Sequence, residues 1–560
     1  MPDSSLSSMH RRVAGRLGDR PALRFKRHGL YQDLSWSDYR RQSDGAAAGL
    51  IALGIGPGDP VGLLAENGPR WLMADIAILA AGAVDVPLHA PLVANQVEHQ
   101  LHHSGARAVF VSRQAQADKV LAVLDALPDL EFLVSFEPVE TRGRLRQFTW
   151  DGLVQRGRDR DGPGFEVVRA REAAVTRDRL ATIIYTSGTT GGPKGVMLSH
   201  GNLLSNAEAT LATAAMHPDD FLLSWLPYSH IYARTVDHYL TILGEGTLCL
   251  AESPETLVTN IAETQPTWIT AVPRFYEKVW TSVEALPPGP RARALAAIFG
   301  PRIRRLSSGG APLPRRICEG FIAAGLPLLE GYGLTESSPV ISFNRLESVR
   351  PGTVGQAIPG VEIRISDDGE ILTRGPHGML GYWKDPQATA DAIDAGGWLK
   401  TGDVGRLDAD GFLSITDRKK DLFITSGGKN IAPAELERLL TADPYIDQAV
   451  IHGDGRPFMT ALLVPNLDRL RAKTGEIGGA LDLDPDSGLI PCPKVHAFLQ
   501  ERVEQAMRAV SQPERVKRFL ILGRPFQVET DELTATMKVR RRFLLEKYRT
   551  RLDALYKEEK

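Results

Sequence analysis

The chain has 560 residues, 43% hydrophobic, 24% charged and 7% aromatic, with Lys plus Arg (66) nearly balancing Asp plus Glu (68). These proportions exclude wholesale disorder and fibrous structure, and the length allows about three to four folding units. A formal net charge of −2 argues against a dedicated nucleic-acid binder. The three cysteines, Cys249, Cys318 and Cys492, are too few and too dispersed for a disulfide framework or a zinc cluster, which points to a reducing compartment. In chain order, the N-terminal segment carries Ser and Arg but no apolar signal core, so secretion is not expected. A strand-like run follows at Ala22 to Phe25. The most apolar stretch, Trp71 to Leu88, holds Asp75 and Asp85. Its uninterrupted part, Ile76 to Val84, falls far short of the ~20 residues of a membrane span. It reads as a buried helix running into a strand.

From about residue 35 to 415, helical patterns alternate with short strand-like runs: PVGLLAENG (60–68), ARAVFVS (106–112), DRLATIIYTS (178–187), FLLSWLP (221–227), TWITAVP (267–273) and LPLLEGYG (326–333). Such alternation predicts an α/β domain with largely parallel sheets. Near residue 417 the texture changes. Short strands at 411–417 and 421–428 flank Arg418–Lys419–Lys420, Pro433 opens a helix, and a hairpin is expected from Ile446–Ile451 to Phe458–Val464. The expected organisation is a large N-terminal domain of stacked, mostly parallel sheets with helices (1–417), a hinge at 418–420, and a smaller, mobile α+β domain (421–560). Residues 538–557 read as an amphipathic helix with a basic face.

The segment with most chemistry is Tyr185-Thr-Ser-Gly-Thr-Thr-Gly-Gly-Pro-Lys194-Gly195. Its glycines let backbone N–H groups converge on phosphate oxygens, its hydroxyls add donors, and Lys194 adds a mobile positive charge. A Walker A loop ends Gly-Lys-Ser/Thr, whereas this lysine follows proline, and no GxGxxG lies nearby.

This string resembles the phosphate loop of the adenylate-forming superfamily of acyl-CoA synthetases, luciferases and peptide-synthetase adenylation domains. LPYSHIY (226–232), SSGGAPL (307–313), GYGLTES (331–337), GYWKDP (381–386), TGD (401–403), DRKKDLFITSGGKNIAPAELE (417–437) and LTATMKVRR (533–541) match in order over nearly the whole chain. VPRFYEKVW (272–280), YSHIYARTVDHY (228–239) and TATMKVRR are most similar to long-chain fatty acyl-CoA synthetases.

The resemblance implies ATP-dependent activation of a fatty acid to an acyl-adenylate and transfer to coenzyme A, with ATP, Mg²⁺ and coenzyme A as partners. Thr186, Ser187, Gly188, Thr189, Thr190 and Lys194 would cradle the β- and γ-phosphates. Glu336, with Thr186, would hold Mg²⁺, and Thr335 would touch the α-phosphate. Tyr332 and Gly333 would lie on the adenine, opposite Gly309–Gly310–Ala311. Asp403 would accept the ribose hydroxyls with support from Arg418. His230 would position the acyl substrate beside its pocket wall, without acting as a base. Lys538 would contact the substrate carboxylate and α-phosphate during adenylation. Ala535 and Met537 stand where relatives often carry proline and leucine or glycine. Lys420 occupies the hinge position, where backbone torsions must change, and Gly427 and Gly428 would face the incoming pantetheine. The rival readings are an adenylating enzyme that serves a carrier-protein thiol and a non-catalytic nucleotide-binding relative. A relic would be expected to have lost at least one of Lys194, Glu336, Asp403, Arg418 and Lys538. The expected setting is cytoplasmic. Basic stretches at Arg11 to Arg27 and Lys538 to Arg551 read either as solvated faces or as a peripheral membrane contact.

Overall fold

A computed structural model describes residues 3–141, 143–158, 164–186, 192–419, 423–424, 430–456, 458–485, 487–508, 510–527, 530–533 and 539–556. The chain divides into two compact units. The first comprises Met1–Arg364, Leu372–Thr401 and Leu407–Leu413; the second comprises Ile365–Ile371, Gly402–Arg406 and Ser414–Lys560.

Two large sheets organise the first unit. One has eight strands in the order Gly381–Tyr382, Lys194–Ser199, Leu180–Thr186, Val84–Leu88, Pro60–Leu64, Ala108–Val111, Phe132–Ser135 and Arg146–Thr149. It is parallel from Leu180–Thr186 onward and antiparallel at the edge formed by the first three strands. The other has nine strands, from Gln356–Ala357 at one edge through Val340–Phe343, Leu328–Gly333, Arg305–Ser308, Trp268–Ala271, Phe221–Ser224 and Thr247–Leu250 to Pro21–Arg27 and Leu30–Ser35. Its central strands are also parallel. Strands covered on both faces must be apolar throughout, which is why LATIIYT, FLLS and TWITA show no alternation.

One core draws on both sheets. Leu23, Leu222 and Trp268 from one join Val61, Ala181 and Val196 from the other, together with helices Leu6–Leu17, Trp36–Ala52 and Pro69–Ala80. The apolar stretch at 71–88 is the helix Pro69–Ala80 followed by the strand Val84–Leu88, as its pattern predicted. Proline opens that helix, since a missing N–H costs nothing in the first turn.

In the second unit, strands Ile446–His452, Met459–Pro465 and Val516–Ile521 form a three-stranded sheet, antiparallel and then parallel. The expected hairpin is its first pair. Helices Pro433–Thr441 and Pro493–Ala506 cover it with Leu436, Leu440, Val495, Leu499 and Val503. The basic C-terminal segment forms two short helices, Arg541–Lys547 and Arg549–Ala554, instead of one. They break at Tyr548 (φ −103°, ψ 9°), whose side chain is buried with Leu544 and Leu552. Among the described residues, no helix is long and apolar enough to cross a membrane.

Candidate active site

In the first unit the phosphate-loop motif sits between two antiparallel strands, with Thr186 ending one and Lys194 starting the other as paired residues. Ser187, Gly188, Thr189 and Thr190 lie outside the described residues. The hairpin is extended by Gly381–Tyr382, which pairs with Met197 and Val196. This register brings the Tyr382 ring under Lys194, with Nζ 4.9 Å from the ring centroid. The Tyr382 hydroxyl donates to Glu336 Oε1 at 3.0 Å. Burial raises the Tyr382 pKa, and the adjacent Glu336 charge raises it further, so the hydroxyl stays protonated as a donor. Lys194 and Glu336, which the sequence pattern puts on separate motifs, are thus joined through one tyrosine.

Glu336 lies in a 3₁₀ turn, Thr335–Ser337, just after the strand Leu328–Gly333. Thr335 is buried and Glu336 half-buried. Gly333 is required there, because an added Cβ would fall 1.8 Å from the Pro339 carbonyl oxygen. The helix His200–Ala214, directly after the phosphate-loop hairpin, fixes both neighbouring segments. Asn206 Nδ2 donates to the Val340 carbonyl at 2.7 Å and its Oδ1 accepts from Val340 N at 3.2 Å, behind the glutamate turn. Asn202 Nδ2 donates at 2.8 Å to the carbonyls of Pro376 and Gly378, ahead of Tyr382. The Met379 N–H donates to the Glu336 carbonyl at 2.9 Å, closing the arrangement.

Tyr332 is half-buried on its strand, paired with Ser342. Gly309, Gly310 and Ala311 follow the strand Arg305–Ser308. Gly309 is covered by Tyr232, whose Cζ would lie 2.9 Å from an added Cβ, and Gly310 adopts φ +81°, so both positions favour glycine. His230 caps the turn Ile231–Ala233, its Nδ1 accepting from Tyr232 N at 3.2 Å. Through that bond it is linked to Tyr232, the residue that covers Gly309.

Asp403 and Arg418 lie in the second unit, where Arg418 Nε is 2.9 Å from Asp403 Oδ1. Asp403 is buried and the Arg418 side chain is exposed. Beside them Lys419 Nζ bridges Asp368 at 2.6 Å and Glu370 at 2.7 Å, and Glu370 accepts from Gly402 N at 2.9 Å. Lys420, Gly427, Gly428 and Lys538 lie outside the described residues.

Tyr382, Asn202 and Asn206 were given no role by motif reading. Tyr382 stood inside GYWKDP, and the asparagines are spaced four apart at the start of a helix. A second missed group lies deep in the first unit. Arg234, fully buried, contacts Asp75 and, at 2.7 Å, Asp85. Its Nε donates to Tyr239 Oη at 2.8 Å, and Tyr239 donates to Asp75 at 2.9 Å. Arg234 and Tyr239 bound a π-helical turn, Arg234–Tyr239, with all six residues buried. Burial alone would raise the Asp75 pKa, but Arg234 and His238 outweigh it and hold that carboxylate below its usual range. Asp85 is driven upward by burial and by Asp75, against the opposing pull of Arg234.

Among the described residues, no three His, Cys, Asp or Glu side chains are placed to hold a metal. A hard cation beside Glu336 would draw on that single carboxylate together with hydroxyl, water and substrate oxygens, a donor set of the kind magnesium takes.

Residues 10–383 match the AMP-binding enzyme family, and residues 420–560 match the AMP-binding enzyme C-terminal domain. The chain is 35% identical to the long-chain-fatty-acid–CoA ligase FadD15 of Mycobacterium tuberculosis, over 95% of this chain and 93% of that protein. It is 29% identical to the long-chain-fatty-acid–CoA ligase ACSBG2 of Xenopus laevis, over 100% and 84% of the two chains. In fold it is similar to the adenylation domain of a carboxylate reductase from Mycobacterium chelonae (TM-score 0.82, 23% identity, 100% and 92% covered). ATP-bound MatB from Rhodopseudomonas palustris is also similar (TM-score 0.74, 24% identity, 97% and 99% covered).

Proposed function

Because the chain belongs to the AMP-binding enzyme family, we propose that it activates a long-chain fatty acid with ATP and passes the acyl group to coenzyme A. The observation that carries this reading is the Lys194–Tyr382–Glu336 group at the mouth of the phosphate-loop hairpin. It holds a cation and a carboxylate at fixed separation, as binding of a metal triphosphate requires. The long-chain preference is taken from the named relatives.

In the first step a carboxylate oxygen bonds to the α-phosphorus of ATP. The bond from that phosphorus to the bridging oxygen breaks, and pyrophosphate leaves with the electron pair. In the second step the thiol sulfur bonds to the acyl carbon, AMP leaves with its oxygen, and the thiol proton passes to solvent. Bringing two anions together is the main barrier: unit charges 4 Å apart repel by about 4 kcal/mol at an effective dielectric near 20. Lys194 with Thr186, Ser187, Gly188, Thr189 and Thr190 would neutralise the outer phosphates, and Thr335 would hold the α-phosphate. Glu336 and Thr186 supply the hard oxygens that fit Mg²⁺, which, when bound, offsets charge on the phosphate oxygens. Tyr332, Gly333 and the Gly309–Gly310–Ala311 wall would enclose the adenine, while Asp403 and Arg418 would take the ribose. His230 would shape the acyl side of the wall through Tyr232. Lys538 would serve adenylation from a mobile C-terminal domain, and a turn about residues 418–420 would replace it with Gly427 and Gly428 for thioester formation. The reading suits a cytoplasmic enzyme that meets its lipid substrate in solution or at a membrane surface.

The test is pyrophosphate release from ATP and Mg²⁺ across acids of graded length without a thiol, followed by coenzyme A or a carrier protein as acceptor. Release with long-chain acids and acyl-CoA formation are expected; ATP left unconsumed with every acid would overturn the reading. Lys538→Ala is expected to abolish release yet spare thioester formation from supplied acyl-adenylate. Equal loss of both half-reactions would refute the domain swing.

A further inference from the structure

A cavity of about 290 Å³ lies beside the strand Lys194–Ser199, lined by His99, His103, Gly192, Pro193, Lys194, Trp383, Lys384 and Asp385. His99 and His103 stand one turn apart on the helix Ala94–Ser104, their rings parallel to within 5° and 5.6 Å apart. His103 Nδ1 is 2.9 Å from the Tyr185 hydroxyl, at the strand end that leads into the phosphate loop. Burial keeps the Tyr185 phenol protonated, so it can donate to Nδ1 and leave Nε2–H as an outward donor. His99 Nε2 lies 3.5 Å from the Pro193 carbonyl, where the loop returns.

Two further contacts settle the polarity of this cavity. Trp383 Nε1 and Lys384 Nζ donate to the His103 carbonyl at 3.1 and 2.8 Å, so the carbonyl end of the helix is covered by donors. Asp385 is the lining carboxylate, and its Oδ1 is engaged in capping the next helix through Ala388 N at 2.9 Å. Lys384 adopts φ +55°, backbone that glycine or asparagine adopts more cheaply, yet the position holds a cation. Lys194, His99, His103 and Lys384 therefore offer donors and positive charge around a space directly continuous with the phosphate-loop lysine.

We propose that this cavity is an anion subsite that receives pyrophosphate as it leaves the phosphate loop, with His99, His103 and Lys384 taking over contacts from Lys194. The proposal rests on the adenylating activity above, since that reaction generates pyrophosphate beside Lys194. It adds a second, outward station with its own residues. The charged and titratable groups facing the pair are Lys194, Lys384, Asp385, His102 and Tyr185.

The test uses the full chain and the variants His99→Asn, His99→Asn/His103→Asn and Lys384→Gln. Inorganic pyrophosphate is titrated calorimetrically without ATP or acid, and its product-inhibition constant is compared with the KM for ATP. The ratio of that constant to the ATP KM is expected to rise about five- to tenfold in the double variant, as loss of one or two hydrogen bonds to a charged ligand implies. His99→Asn and Lys384→Gln alter exposed side chains, so they report even if the double variant folds poorly. The KM for coenzyme A should not follow the ratio; if it does, the cavity takes a phosphate of that substrate instead and the proposal falls. An unchanged ratio, or pyrophosphate and ATP weakening together, also overturns it, because the histidines then merely brace the loop. Weakened calorimetric binding in an enzyme that releases no pyrophosphate would sink the activity and leave the subsite standing.

Discussion

Two groups in the first unit use the same three parts in different settings. Lys194, Tyr382 and Glu336 form one; Arg234, Tyr239 and Asp75 form the other. Each places a cation against a tyrosine whose hydroxyl bonds a carboxylate. In the buried group the guanidinium also contacts the carboxylates directly, and its charge is cancelled inside the protein. In the half-exposed group the ring separates the ammonium from the carboxylate. Among the described residues, Tyr382 donates a hydrogen bond to the Glu336 carboxylate, while the Met379 N–H is on its main-chain carbonyl. A tyrosine spacer without direct ion pairing leaves both charges able to act on something else, whereas direct pairing under full burial makes them structural.

The largest effect should come from breaking the buried group. Arg234→Met strands Asp75 without its partner and is expected to cost about 3–5 kcal/mol of unfolding free energy, read by denaturant titration. A loss under 1 kcal/mol would mean that Asp75 simply takes up a proton. Glu336→Gln should leave the unfolding midpoint near that of the parent while slowing pyrophosphate release by about 10²–10³-fold. If stability falls with it, the contrast between the two groups fails. Tyr382→Phe keeps the ring beneath Lys194 and removes only the hydroxyl, so release should slow by roughly tenfold, the scale of one hydrogen bond to a charged group.

A pH-dependent effect concerns Asp237, in the buried π-helical turn, where Ser224 Oγ donates to its Oδ2 at 2.6 Å. Burial pushes its pKa up to about 7. The folded state thus holds a proton that the unfolded chain releases near pH 4. The associated stability is fully present below that value and lost as pH rises through about 7. Asp237→Asn mimics the protonated form, so wild type should lose stability relative to this variant between about pH 4 and pH 7. Parallel pH profiles of the two unfolding midpoints would show that Asp237 is ionised throughout.

Much of the architecture was legible because burial on two faces removes polar residues from parallel strands. The runs at 180–186, 221–224 and 268–271 therefore announced themselves, as did the hairpin at 446–465 with its glycine turn. Thr186, Lys194, Glu336, Asp403 and Arg418 were singled out through the resemblance of their motifs to the adenylate-forming family, and the structure joins Lys194 to Glu336 through Tyr382 and pairs Asp403 with Arg418. Arg234 was not. Its partners Asp75 and Asp85 come from a helix and a strand more than a hundred residues upstream, and no periodicity encodes that pairing. From sequence, those aspartates counted only against a membrane span. Tyr382 escaped for a related reason: its role follows from strand pairing with Val196, which local pattern does not specify.

Asn202 and Asn206 carry one more implication. Both grip carbonyls of other segments from successive turns of a single helix, so the gap between the glutamate turn and the approach to Tyr382 is set by helical pitch, about 5.4 Å, instead of by loop length. Either connecting segment can therefore lengthen in evolution without detuning the spacing of the groups it delivers. One residue inserted between the two asparagines would swing the second by about 100° and unhook it. The ruler, and not the material it measures, is where this fold is intolerant of insertion.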